Sequence, residues 1–372
     1  MPHTPETDDE DLNLEPPPEP PVHYAEQALL GALLLEPEQL AQTEGLLPEH
    51  FRSPAHRAVY AAMRTLTPPE REVHRTEPVW INAVLTRAVE EAPGVSAAYL
   101  HTCIGACPRP QHATSYARMI RSDHARRTLR EHAIRLEQAA TNTTLADPES
   151  AALRQADALA RFVDELTRQT ASHPGSLPRT PLPPDPPRDR TEDALEEERL
   201  FLATATDRAD GVKELPLRLE DFALPLHGHL YQCLSALTRR GEDIDPIAVL
   251  WEAQHRRLLT SGVGPDDVLT LLSQPAGSPE HWAEQILRRA LLYGARRAAT
   301  RIRAFAEDTA NSPHQLITGA RRALADLTAQ HTRCWHRAPP GPNTTAEPAH
   351  SPTVKPRQHE LTALHASRGN RR

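Results

Sequence analysis

The chain repeats itself, and this narrows its possible folds more than any other feature. Pro48-Glu49-His50-Phe51 returns as Leu219-Glu220-Asp221-Phe222, and Pro54-Ala55-His56-Arg57-Ala58-Val59-Tyr60 as Pro225-Leu226-His227-Gly228-His229-Leu230-Tyr231, both 171 residues later. Farther on, Pro78 pairs with Pro246, Gly94 with Gly264, the cap positions Ser96 and Asp266 with each other, Tyr116-Ala117 with Trp282-Ala283, and Pro148 with Pro313. The offset drifts only between 165 and 171, as small loop insertions produce. Two diverged copies of one unit follow from this register.

The unit reads as helical. In HYAEQALLGALLL, Ala25, Leu29, Leu30, Leu33 and Leu34 fall at helical spacing, and Pro37 stands just beyond. Ser53-Pro54 reads as a cap with proline at the first helical position, leading into a helix with Val59, Met63 and Leu66 on one face. Ser96 caps AAYLHTCIGAC, a long helix starts near His112, and Asp147-Pro148-Glu149 opens another that ends near Thr170. The period-2 alternation of a sheet is absent. The predicted fold is therefore all-α: two helical-bundle domains, each followed by a helical hairpin, at about 112–170 and about 279–331.

Proline sets the boundaries. Of 37 prolines in 372 residues, twenty lie within 2–21, 174–187 and 339–356. The expected organisation is a disordered acidic Pro-rich tail (1–22), a first domain (23–170), a Pro-rich, semi-rigid linker (171–195), a second domain (196–336) and a disordered, mildly basic tail (337–372). Seven acidic side chains and no Lys or Arg occupy the first twenty residues, so nearly all of the formal charge of −8 belongs to the first tail. No run approaches the roughly 18 to 20 apolar residues of a membrane helix, and the acidic N-terminus is unlike a signal peptide. Four cysteines are too few for a disulfide scaffold, and a reducing cytoplasm is expected.

The order AEQALLGALLL, LLPEHFRSPAHRAVYAAM, EPVWINAVL, GVSAAYL and SYARMIR resembles the N-terminal domain of DnaB-type replicative helicases. Glu26, Phe51-Arg52-Ser53-Pro54-Ala55-His56 and Tyr116-Ala117 carry the likeness. The second copy keeps Phe222, Pro225, His227 and Tyr231, with Glu-Glu-Arg-Leu-Phe-Leu at 197–202 in place of the first-helix pattern. The resemblance implies a helical bundle and hairpin that form a collar through hairpin contacts and receive primase or loader proteins. The motor that follows in such helicases carries G-x-x-x-x-G-K-[ST], whose amides, lysine and hydroxyl hold phosphate and magnesium. The two lysines, Lys213 and Lys355, stand in no such setting. The expectation is a non-catalytic protein with no cofactor and no metal. It would act by contact with itself as a homo-oligomer, with a replicative helicase or with primase, and without a membrane.

Ile120, Leu129, Leu136, Leu153, Leu159, Phe162 and Leu166 are predicted to present an exposed apolar interface on the first hairpin. Two arginine clusters, Arg118, Arg121, Arg126, Arg127 and Arg130 on one long helix and Arg288, Arg289, Arg296, Arg297 and Arg301 on the other, are candidate phosphate contacts, which makes a DNA-binding accessory protein the alternative reading. A solvated helix face, or pairing with acids of a partner or of the chain's own acidic tail, fits the same pattern. A split or decayed helicase subunit without its own ATPase is a further alternative. Cys103-x-x-x-Cys107 offers one ligand pair where structural zinc uses two, so packing is the expected role. His56 and His227 recur without a recurring carboxylate or nucleophile, so a helix-start histidine that bonds backbone or packs on the preceding Phe is expected.

Overall fold

The computed structural model describes residues 18–170 and 176–335, and the expected tails fall almost wholly outside them. The first copy comprises α1 (Pro21–Leu35), α2 (Pro54–Thr65), α3 (Arg71–Thr76), α4 (Val79–Glu91), α5 (Ala97–Gly105), α6 (Ala113–Thr141) and α7 (Pro148–Gln169). The second comprises α8 (Glu192–Asp207), α9 (Pro225–Arg240), α10 (Pro246–His255), α11 (Pro265–Leu271), α12 (Pro279–Glu307) and α13 (Pro313–Trp335). Among the described residues there is no strand, only an isolated bridge between Thr260 and Val263. Helix α1 begins two residues inside the expected tail and α8 takes in the last residues of the expected linker. In both places a cap-like start recruits the helix earlier than the apolar pattern does: Pro21 sits in the first turn of α1, and Thr191 accepts from Ala194 N ahead of α8.

Local chemistry sets the helix starts. Ser53, Ser96 and Asp147 each accept a backbone N–H from the third residue on, which satisfies one of the open donors of a helix start. Asp266 is not a cap. Pro265 takes the first helical position, Gly264 becomes the cap residue, and Asp267 reaches back to accept Gly264 N at 2.8 Å. Gly31 has a packing role: a Cβ there would overlap the Cys103 carbonyl, so its absence lets α1 lie against α5.

Among the described residues, three hydrophobic cores form. One fills the first bundle around Leu29, Leu33, Phe51, Tyr60, Met63 and Trp80; another fills the second around Phe201, Phe222, Leu230, Tyr231 and Ile286. The third belongs to neither copy. It joins Leu129, Leu136, Leu159 and Val163 of the first hairpin to Ala298, Ile302, Phe305, Leu316 and Ala320 of the second. Arg126 meets the carbonyls of Ala306, Asp308 and Asn311, Arg130 meets Glu307, and Arg303 pairs with Glu137, so α6 and α12 run antiparallel. Both helices are 29 residues long.

The linker is a strap rather than a spacer. Leu177 O accepts from Gln315 Nε2, Arg179 N donates to Asn311 Oδ1, and Thr180 Oγ1 donates to Asp308 Oδ2. Asp185 pairs with Arg301, and the Arg188 guanidinium lies 4.4 Å from the Tyr293 ring centroid. From Thr180 to Arg188, eight residues at the roughly 3.1 Å rise of an extended proline-rich chain cover about 25 Å. The matching run of α12, from Asp308 back to Tyr293, covers about 22 Å at 1.5 Å per residue. The prolines thus keep the strap extended and in step with the helix beneath it. Gly319 lets it close down, since a Cβ there would fall 2.6 Å from the Pro178 ring.

Candidate interaction surface

The seven apolar residues expected on an exposed face are not exposed. Ile120 is in the core of the first bundle; Leu129, Leu136 and Leu159 are buried in the core shared by the hairpins; Leu153, Phe162 and Leu166 are half-buried against it. The periodicity identified an apolar stripe correctly but not what covers it. The second hairpin of the same chain does so, and tethering two such units raises the effective concentration of each for the other.

The arginines are likewise largely spoken for. Arg126 is set against the carbonyl end of α12, at 2.6 Å from Asp308 O and 2.7 Å from Asn311 O, where a cation satisfies carbonyls that lack helical partners. Arg127 bonds Asp123 and His50 O, Arg130 bonds Glu307, and Arg121 donates to Glu44 O at 3.4 Å. On the second hairpin Arg289 pairs with Glu197, Arg288 with Glu284, and Arg301 with Asp185 and Asp326. Arg296 and Arg297 are half-buried. Arg118 is exposed, with a 3.4 Å bond to Ser115 Oγ. As a pair of solvent-facing phosphate-binding helices the clusters do not hold together, because their charges mostly bind the hairpins to each other, to the bundles and to the strap.

One open cleft, about 1120 Å³, lies where the first bundle meets the far end of the second hairpin. Its walls come from the start of α1, the N-terminal half of α6 and the α12–α13 turn. Arg52, Arg118, Arg126, Arg127 and Arg130 line it, against Asp123, Glu131 and Glu307. Beside it the rings of His50 and His124 meet at a tilt of 31°, with centroids 4.4 Å apart. Burial, then His124, then Arg121 and Arg127 push the His50 pKa down to about 4 against the opposing pull of Glu49, and burial also lowers that of His124.

The buried histidines have the carboxylate partners that sequence inspection missed. Glu26 Oε2 lies 2.6 Å from His56 Nδ1 and Glu198 Oε2 lies 2.8 Å from His227 Nδ1, all four side chains buried. Each carboxylate also accepts two backbone amides, Arg52 and Ser53 in one copy, Ala223 and Leu224 in the other. Tyr99 Oη adds a 2.6 Å bond to His56 Nε2. Glu198 stands 172 residues after Glu26, in the segment read as having lost the first-helix pattern; that register was the available signal. With no access to solvent, the pair clamps the loop before α2 or α9 onto α1 or α8.

Cys103 is buried in the first core and burial pushes its thiol up to about 11. Among the described residues no group of three His, Cys, Asp or Glu could hold a metal ion, and no helix is long and apolar enough to cross a membrane.

A sequence model of the DnaB-like helicase N-terminal domain matches twice, over residues 19–122 and 192–288, together more than half of the chain. The chain belongs to the DnaB-like helicase N-terminal domain family. Both matches end about ten residues into the long helix of their copy, so the DnaB-like segments comprise the two bundles and their hinges into the hairpins. The shared hairpin core lies almost entirely beyond them. No curated protein matches the chain.

Proposed function

We propose that this DnaB-like protein acts without catalysis, as a protein-interaction element of DNA replication in which two collar-like units are closed on each other within one chain. The observation that carries the reading is the hydrophobic core shared by α6, α7, α12 and α13. A family domain of this kind is a helicase-associated protein-interaction unit, and here its hairpins spend their apolar faces in cis. Contact with a replicative helicase or primase then falls to the outer faces of the bundles. Those faces carry exposed apolar side chains, among them Val79 on α4 and Ile247 and Trp251 on α10. The internal pairing of most of the arginines supports this reading over DNA binding along two exposed arginine helices.

The test is light scattering of the full chain, alone and mixed with the replicative helicase and the primase of its own cell, with an ATPase assay in parallel. A one-chain mass alone, a complex with helicase or primase, and no ATP turnover are expected. Absence of both complexes at micromolar concentrations overturns the interaction reading, and ATP turnover by the purified chain overturns the non-catalytic one.

A further inference from the structure

We infer that the acidic segment 1–17 docks in cis into the arginine-lined cleft at the base of α6. The cleft holds five guanidinium groups, those of Arg52, Arg118, Arg126, Arg127 and Arg130, against three carboxylates. It also presents apolar surface, from Val22, Ala306 and Met119, the last 54% exposed. A matching occupant is anionic and carries a few apolar side chains. Segment 1–17 has Glu6, Asp8, Asp9, Glu10, Asp11 and Glu15, no Lys or Arg, and two leucines, Leu12 and Leu14.

Position selects the same segment. Pro20, Pro21 and Val22 are themselves part of the cleft wall, so the chain leads into the segment at the rim. Glu19, the residue before Pro20, lies 3.6 Å from His23 Nδ1. Seventeen residues at about 3.1 Å each reach some 50 Å, more than enough to cross the cleft. Residues 336–372 carry the opposite sign, with five basic side chains and two acidic ones from residue 338 onward, and are repelled by the same wall. Tethering favours the intramolecular occupant over any free anion, because its effective concentration is about millimolar. Docking there shields the arginine surface from outside polyanions, nucleic acid included.

The full chain with benzoylphenylalanine in place of Leu12 provides the probe. On irradiation, cross-links within single chains to residues 115–131 or 306–313 are expected. Their yield should fall at least about fivefold in 1 M salt, where the screening length shrinks to roughly 3 Å. The same loss is expected in D8N/D9N/E10Q/D11N, which alters no residue of the described helices, and in R118E/R130E. Cross-links scattered over the surface, cross-links between chains that vanish on dilution, or yields indifferent to both variants overturn the docking. A fluorescent single-stranded oligonucleotide separates the competing occupant: about tenfold tighter binding to D8N/D9N/E10Q/D11N than to the intact chain supports docking. Equal affinity for the two, or no binding by either, overturns it.

Discussion

The two copies share a clamp and differ in how they use their tryptophans and long helices. In both, a buried glutamate from the first helix holds a histidine at the start of the next and two amides of the loop between them. The first copy buries Trp80, whose Nε1 donates to Leu33 O at 3.0 Å. In the second, the corresponding helix α10 turns Trp251 outward, 61% exposed. Helix α6 is buried along a stripe of mostly small residues. Helix α12 is buried almost all round its middle, because the strap, its own bundle, α13 and the first hairpin each cover a side. The linker between the copies lies on the second of them.

The clamp gives the largest expected effects. Glu26→Ala or Glu198→Ala orphans a buried histidine and two amides, and each should cost about 3–5 kcal/mol in chemical denaturation. A clearly milder loss in one copy would show that the clamp is redundant there. The tryptophans should separate the copies: Trp80→Ala should cost about 3–5 kcal/mol, while Trp251→Ala should stay within about 0.5 kcal/mol. A large loss for Trp251→Ala would mean that the second bundle needs that face for its own stability.

The shared core joins the copies, so Leu136→Ala and Ile302→Ala should each cost about 2–5 kcal/mol. Each should also raise hydrogen exchange in both hairpins at once. Exchange confined to the mutated hairpin would break the picture of a single cross-copy core. Asn311→Ala removes the amide that takes Arg179 N and donates to Thr180 and Phe305, and a loss of about 1–3 kcal/mol is expected, with faster proteolysis between residues 176 and 190.

The smallest effect is a pH dependence confined to the first copy. His50, with its pKa pushed down to about 4, is held neutral by the fold, and the equivalent position in the second copy is Asp221. A histidine whose folded pKa lies below its unfolded value contributes stability fully above about pH 6.5 and loses it as pH falls towards 4. Melting of the full chain at pH 7.5 and 5.0 should therefore show a loss that His50→Gln reduces. NMR titration placing His50 near 6.5 would remove the effect.

The sequence was most legible where the signal is local. Ser53, Ser96 and Asp147 cap as their side chains and spacing indicate, and the 3.6-residue apolar period marks the helices. It was less legible at the start of α11, where Asp266 reads as a cap but Gly264 takes that place and Asp267 reaches back to its amide. The Glu–His clamp escaped because its members stand 29 or 30 residues apart, a separation no periodicity reports.

The sequence by itself determined that the chain is two all-helical copies of one unit, since register and periodicity are properties of the string, and its motifs carried the DnaB likeness. Only the tertiary structure decided where the apolar stripes and the arginines go. A stripe at helical spacing says that something must cover it, because exposed hydrocarbon is costly in water. It does not say what covers it. The mate supplied in cis turned a predicted interface into a core; of the predicted phosphate contacts it takes Arg126 and Arg130, while the bundles and the strap take Arg121, Arg127, Arg289 and Arg301.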